Sequence, residues 1–154
     1  MSQVVGVGDR APDFTLPATG DVEVTLSSYL GHPVVIVFYP GDDSPVCTKQ
    51  LNSYNDGLNE FKNLDAEVLA ISSQGLASHE AFANKYGLNF PLLADTDKSV
   101  AQQYGVLGPL GFPRRSVFIV DAAGVVRYAH RAVAGLSYRP VSELIEALNS
   151  LRPL

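Results

Sequence analysis

Apolar positions along this chain alternate between unbroken runs and stretches with a helical period. Val34-Val35-Ile36-Val37-Phe38-Tyr39 is a continuous β-branched and aromatic run, bounded by Pro33 and by Pro40-Gly41. A run without polar alternation belongs to a strand covered on both faces, hence a central one. Glu67 to Ser72 reads as the next buried strand. Asp13 to Leu16 and Val22 to Leu26 read as short strands flanking the turn at Gly20-Asp21. Val117 to Val120 and Val125 to Arg131 read as two more, joined by the hairpin-like turn Asp121-Ala122-Ala123-Gly124.

The helical stretches fall between these runs. Ser44 is placed as an N-cap and Pro45 at the first helical position, where its missing N–H costs nothing. From that start Cys47, Leu51, Tyr54, Leu58 and Phe61 recur at helical spacing and predict one buried stripe on one helix. Leu76 to Tyr86 predicts a helix with Phe82 and Tyr86 on one face. Thr96 is placed as the cap of a shorter helix containing Val100 and Tyr104. A last helix opens near Pro140, with Val141, Leu144, Ile145, Leu148 and Leu151 as its apolar stripe. The order β-β-β-α-β-α-α-β-β-α needs crossovers and a sheet flanked by helices, and the terminal hairpin makes that sheet mixed. The expectation is an α/β fold of thioredoxin-like topology. No repeat, low-complexity stretch or linker interrupts it, so residues 1–154 read as a single domain.

Composition narrows the function classes. With 46% apolar and 18% charged residues the sequence suits a folded domain rather than a disordered segment. Eleven Lys and Arg against 16 Asp and Glu leave a net charge of −5, which argues against a nucleic-acid partner. No apolar run approaches the ~20 residues needed to cross a bilayer, so no membrane is expected. Residues Met1 to Gly6 show neither a charged nor an apolar leader region, and the expected location is cytoplasmic. The one cysteine allows no intrachain disulfide and no cysteine-based zinc site. His32, His79 and His130 are scattered without ligand spacing, so neither metal nor cofactor is expected.

That single cysteine is the candidate for chemistry. Cys47 is the third residue of its helix, directly after the central strand and facing inward, toward a pocket. First-turn N–H groups lack intrahelical partners and carry partial positive charge, which favours a thiolate over a thiol. Only about 3% of an ordinary thiol is ionised at pH 7, so this matters for reactivity. Asp42 and Asp43 pull the other way, because nearby carboxylates disfavour a thiolate. Lys49 is the only local cation, so a distant segment has to supply another. On periodicity alone, a lone cysteine on an apolar helical face reads first as a small core residue that does no chemistry.

The whole segment changes that balance. Pro40-Gly41-Asp42-Asp43-Ser44-Pro45-Val46-Cys47 resembles the peroxiredoxin signature Pro-x-x-x-Thr/Ser-x-x-Cys, placed after a central strand. The similarity continues through Gly8-Asp9-Arg10-Ala11-Pro12-Asp13-Phe14, through Phe90-Pro91-Leu92-Leu93-Ala94-Asp95 and Tyr104-Gly105-Val106, and through Arg115-Ser116-Val117-Phe118-Ile119-Val120-Asp121. The segments occur in family order and resemble the Q-type (bacterioferritin-comigratory) or E-type peroxiredoxins. The resemblance implies a thiol-dependent peroxidase acting on hydrogen peroxide or organic hydroperoxides. It implies Cys47 as the nucleophile that becomes a sulfenic acid, and Arg115 as the missing cation, with Arg114 as the alternative. It implies Ser44 as a hydrogen-bond partner of the peroxide and Pro40 as the cover that limits water.

Three departures from the family pattern shape the expectation. Ser44 stands where threonine is commoner, and Gln50 where the nearest subfamilies carry a glutamate. Asn52 stands where many Q-type members place a resolving cysteine. The implied cycle therefore uses one cysteine and borrows an external thiol, whether thioredoxin, glutaredoxin or a low-molecular-weight thiol. Cys47 should then be prone to overoxidation in excess peroxide. Relatives occur as monomers and dimers, and a homodimer is the expectation carried forward. The competing reading is a peroxide sensor that is sulfenylated without turnover. A thioredoxin-type oxidoreductase fails because the Cys-x-x-Cys pair is absent.

Overall fold

The unbroken apolar run at Val34–Phe38 is buried along its whole length and lies within the sheet, as its composition requires. This and all later geometry comes from a computed structural model that describes residues 5–42, 44–109, 111–132 and 138–151. Asp43, expected to bear on the thiol, and residues 1–4 of the leader reading lie outside the described residues. The strands are β1 (Thr15–Ala18), β2 (Val22–Thr25), β3 (Val34–Phe38), β4 (Glu67–Ser72), β5 (Leu92–Ala94), β6 (Ser116–Val120) and β7 (Val126–Arg131). The helices are α1 (Pro45–Asp56), α2 (Leu58–Asn63), α3 (Leu76–Tyr86), α4 (Ser99–Gln103) and α5 (Val141–Asn149).

The strands form one mixed sheet in the order β2-β1-β5-β4-β3-β6-β7. β3, β4 and β5 run parallel to one another through helical crossovers, and the remaining pairings are antiparallel. Because successive strand residues face opposite sides, β3 feeds two core layers. Val35, Val37 and the following Tyr39 pack with Cys47, Leu51, Tyr54, Phe61 and Leu144 on the side of α1, α2 and α5. Val34, Ile36 and Phe38 pack with Phe14, Val100, Tyr104 and Phe118 on the side of α4. Among the described residues no helix is long and apolar enough to cross a membrane.

The register fixes where the site falls. β3 and β6 pair antiparallel with Phe38 opposite Ser116, which brings Arg115 to the carboxyl end of β3. Arg115 shares its face of β6 with Val117 and Ile119, the face on which α1 packs.

The structure corrects the expected elements in three places. The stripe from Cys47 to Phe61 is buried throughout, but it spans two helices, broken at Gly57. A Cβ on Gly57 would lie 2.8 Å from Val141 Cγ1, so the close approach of α5 selects glycine there. Leu92–Ala94 adds a strand that three residues were too short to announce. Lys98 rather than Thr96 holds the N-cap position of the short helix, and the Asp95 carboxylate accepts from the first-turn N–H groups of Val100 at 3.2 Å and Ala101 at 2.9 Å. Only five residues are helical there, and Tyr104 closes them.

Candidate active site

β3 hands the chain to α1 through a short connection at its carboxyl end. Ser44 occupies the N-cap position with extended backbone, Pro45 follows inside the helix, and the Ser44 carbonyl accepts from Thr48 N–H at 2.9 Å. The expected side-chain cap is not made. The Ser44 hydroxyl instead turns back to donate to the Gly41 carbonyl at 3.4 Å, closing the connection between strand and helix.

Cys47 follows in the first turn, completely buried at 0% exposure. It packs in the layer that holds Val35, Val37, Tyr39, Leu51 and Tyr54. No acidic residue occupies the first turn of α1, so nothing there offsets the partial positive charge of the free N–H groups. Lys49, the local cation, points to solvent.

Arg115 supplies the distant cation. Only 4% exposed, it donates from Nη1 to Cys47 Sγ at 3.3 Å and to Gln50 Oε1 at 2.7 Å. Positions 47 and 50 lie three apart on α1 and so share a face, which lets one nitrogen meet both. Gln50 Nε2 donates to the Tyr54 hydroxyl at 3.3 Å, and that hydroxyl donates to the Arg139 carbonyl at 2.6 Å. Burial pushes the Tyr54 hydroxyl up to about 12, against the pull of Gln50 and Arg115, so it keeps its proton for that bond. The four groups make a chain with every donor pointing the same way, each bond polarising the next. The neighbouring Arg114 is exposed and bonds to Val106 O through its backbone, which leaves Arg115 as the arginine of the site.

The Asp42 side chain turns to partners other than the thiol. The Asp42 carboxylate accepts from Tyr39 Oη at 2.7 Å, from Ser78 Oγ at 2.7 Å and from His79 Nδ1 at 2.7 Å. Burial alone would raise this carboxyl; the bonds from His79, Ser78 and Tyr39, with the His79 charge, hold it below its ordinary value. The negative charge is thus met by a separate network. Among the described residues no three His, Cys, Asp or Glu side chains gather to hold a metal ion.

A buried sulfur at a helix N-terminus beside a buried guanidinium suits attack by a thiolate. The AhpC/TSA family model matches residues 7–129. The chain belongs to that family. Over 152 residues it is 38% identical to the putative chloroplastic peroxiredoxin Q of Oryza sativa subsp. indica, covering 97% of this chain and 68% of that one. Among solved structures, peroxidoxin BcpB from Mycobacterium tuberculosis matches with a TM-score of 0.87 at 30% identity, over 97% of this chain and 99% of that one. Mycobacterium bovis AhpC matches with a TM-score of 0.88 at 25% identity, over 97% and 93%. The fold is the thioredoxin-like one of the peroxiredoxins, and this peroxiredoxin is a thiol-dependent peroxidase, an oxidoreductase with peroxide as its acceptor.

Of the four site residues read from the sequence, Cys47 and Arg115 are in direct contact. Pro40 and Ser44 are half-buried on the connection leading into α1, and the Ser44 hydroxyl bonds to Gly41 rather than to the sulfur. The role of Tyr54 and the network around Asp42 were missed. Tyr54 lies seven residues after Cys47, on the same helical face, and that spacing was a usable signal. His79 left no such signal, because its partners come from other elements.

Proposed function

We propose that this peroxiredoxin runs a one-cysteine cycle in which Cys47 is the nucleophile and Arg115 its activating cation. One observation carries the reading: a buried guanidinium 3.3 Å from a buried sulfur at a helix N-terminus. The Cys47 thiolate attacks one oxygen of the hydroperoxide, an S–O bond forms as the O–O bond breaks, and the electron pair leaves with the second oxygen. That oxygen takes a proton and departs as water or an alcohol, leaving Cys47 as a sulfenic acid. Arg115 stabilises the anionic sulfur and the charge developing on oxygen. Pro40 and Ser44 border the peroxide, with the Ser44 hydroxyl exchanging its long bond to Gly41 for one to substrate.

An external thiol then condenses with the sulfenic acid, releasing water and forming a mixed disulfide. A second thiol displaces Cys47 and leaves as the oxidised reductant. Thioredoxin, glutaredoxin and low-molecular-weight thiols all supply the required chemistry. The single cysteine in the sequence supports this cycle and makes Cys47 open to further oxidation in excess peroxide.

Peroxide consumption with a panel of these reductants tests the cycle, comparing wild type with Cys47→Ser. Wild type should turn over many equivalents with at least one reductant and the variant none. A wild type that forms a sulfenic acid yet consumes a single equivalent with every reductant would leave a sensor in place of a peroxidase. We read the assembly as a homodimer, supported by Leu107 and Phe112, 36% and 57% exposed beside the bridge between Leu107 and Pro113. Sedimentation of the purified protein decides between one copy and two.

A further inference from the structure

We propose that Asp42 and His79 are positioning residues, a buried clamp that holds the segment Pro40–Asp42 in place for peroxide without acting on the Cys47 thiol. His79 sits on α3 with its side chain wholly buried, and the Asp42 side chain is 2% exposed. Both ring nitrogens face acceptors: Nδ1 meets the Asp42 carboxylate at 2.7 Å and Nε2 the Leu93 carbonyl at 3.1 Å. Both nitrogens thus have a hydrogen-bond partner, and ring and carboxylate form a buried polar pair. Replacing such a buried pair with apolar side chains is often neutral or stabilising, so stability alone is a weak reason for it to exist.

Its placement suggests another reason. Four elements converge on Asp42. Tyr39 Oη reaches it from the end of β3, Ser78 and His79 from α3, and His79 is itself braced on β5 through Leu93. The Asp42 backbone N–H donates to Gln74 Oε1 from the connection before α3. A Cβ on Gly41 would lie 3.0 Å from that same oxygen, so glycine lets Gln74 close in. Side chain and backbone of one residue are therefore fixed from both sides, two residues after Pro40 and two before Ser44. Among the described residues none of these groups hydrogen-bonds to Cys47, and the sulfur is held independently by Arg115, the residue before β6.

The inference rests on the reading that Pro40 and Ser44 border the peroxide. A segment displaced by an ångström costs reaction with a substrate held against it far more than reaction with a reagent that makes no ordered contact with it. Two rates on the reduced protein separate these effects: sulfenylation by hydrogen peroxide, and alkylation by iodoacetamide. In Asp42→Asn and His79→Gln, sulfenylation should slow about tenfold or more while alkylation stays within about twofold. Asparagine places its amide nitrogen near the position of Nδ1, and glutamine near Nε2. His79→Asn should therefore keep the Asp42 bond and recover most of the peroxide rate that His79→Gln loses.

Sulfenylation within about twofold of wild type in folded Asp42→Asn and His79→Gln would overturn the clamp, as would a parallel fall in both rates. If the His79 variants do not fold, Asp42→Asn and Gln74→Ala carry the same comparison from a half-buried connection. Sulfenylation uses one equivalent of peroxide and no reductant. A wild type without turnover would thus sink the peroxidase cycle and leave this comparison intact.

Discussion

Gln50 Oε1 takes a 2.7 Å hydrogen bond from Arg115 Nη1, the same nitrogen that stands 3.3 Å from Cys47 Sγ. A neutral amide orients the guanidinium here without cancelling its charge. The far end of that amide is fixed by Tyr54, whose hydroxyl is fixed by the Arg139 carbonyl. The arginine is aimed at the sulfur by a chain of dipoles.

Removing that charge should be costly. Arg115→Ala takes away a charge-assisted hydrogen bond of roughly 1.5–3 kcal/mol and leaves Gln50 Oε1 without this donor. Sulfenylation by peroxide, followed by stopped flow, should slow by roughly 10–100-fold, and the ultraviolet absorbance of the thiolate at neutral pH should fall. Arg115→Lys should restore part of the rate, because an ammonium carries the charge but not the fixed fork of donors. Unchanged absorbance and rate in Arg115→Ala would remove Arg115 from the site.

Changing Gln50 to a carboxylate tests the neutral amide directly. In Gln50→Glu the new charge bonds the same nitrogen and repels the thiolate across the guanidinium, by on the order of 2 kcal/mol at an effective dielectric constant of about 20. Alkylation of Cys47 by iodoacetamide at neutral pH should then slow by roughly tenfold, with the fold unchanged by circular dichroism. Equal or faster alkylation would mean that orientation of Arg115, not the charge at position 50, limits the thiolate.

The Asp42 network predicts a signature in acid. The Asp42 carboxyl is held below its ordinary value in the folded protein, so its contribution is complete above the unfolded value of about 3.9 and is lost as pH falls through the folded one. Urea midpoints measured from pH 6 down to pH 3 should therefore fall more steeply for wild type than for Asp42→Asn. The variant should be the less stable at pH 6, and the gap should narrow toward pH 3. Parallel curves would show that the bonds from Tyr39, Ser78 and His79 do not favour the ionised form.

Much of this architecture was legible because it is periodic. The run at Val34–Phe38 and the stripes of α1, α3 and α5 announce buried faces by spacing alone. β5 escaped because three residues show no alternation; it exists through its pairing with β4, where Ala70 meets Leu92. At the site, Cys47, Gln50 and Tyr54 could be placed on one helical face, whereas the contact with Arg115 came only through family resemblance. No spacing rule links α1 to the start of β6. The direction of the Ser44 hydroxyl and the turning of Asp42 toward His79 are tertiary choices, set by groups remote in sequence.

Gly57 shows the same limit and yields a sharp test. Its neighbours continue an unbroken stripe, so the sequence reads as one helix, yet the chain breaks there because the first residue of α5 presses against it. A Cβ would meet Val141 Cγ1 at 2.8 Å and Cγ2 at 3.1 Å. Helix propensity favours alanine over glycine by about 1 kcal/mol, whereas overpacking costs roughly 1–3 kcal/mol. Sterics should win, since both clashing atoms belong to a β-branched side chain with little rotamer freedom. Gly57→Ala should lower Tm by several degrees, on the scale of ~2–4 °C per kcal/mol for a chain of this length. Adding Val141→Ala should recover part of that loss, because the second change removes the clashing methyls. A Gly57→Ala protein more stable than wild type would mean that α5 gives way and that the break is set within the α1–α2 segment itself.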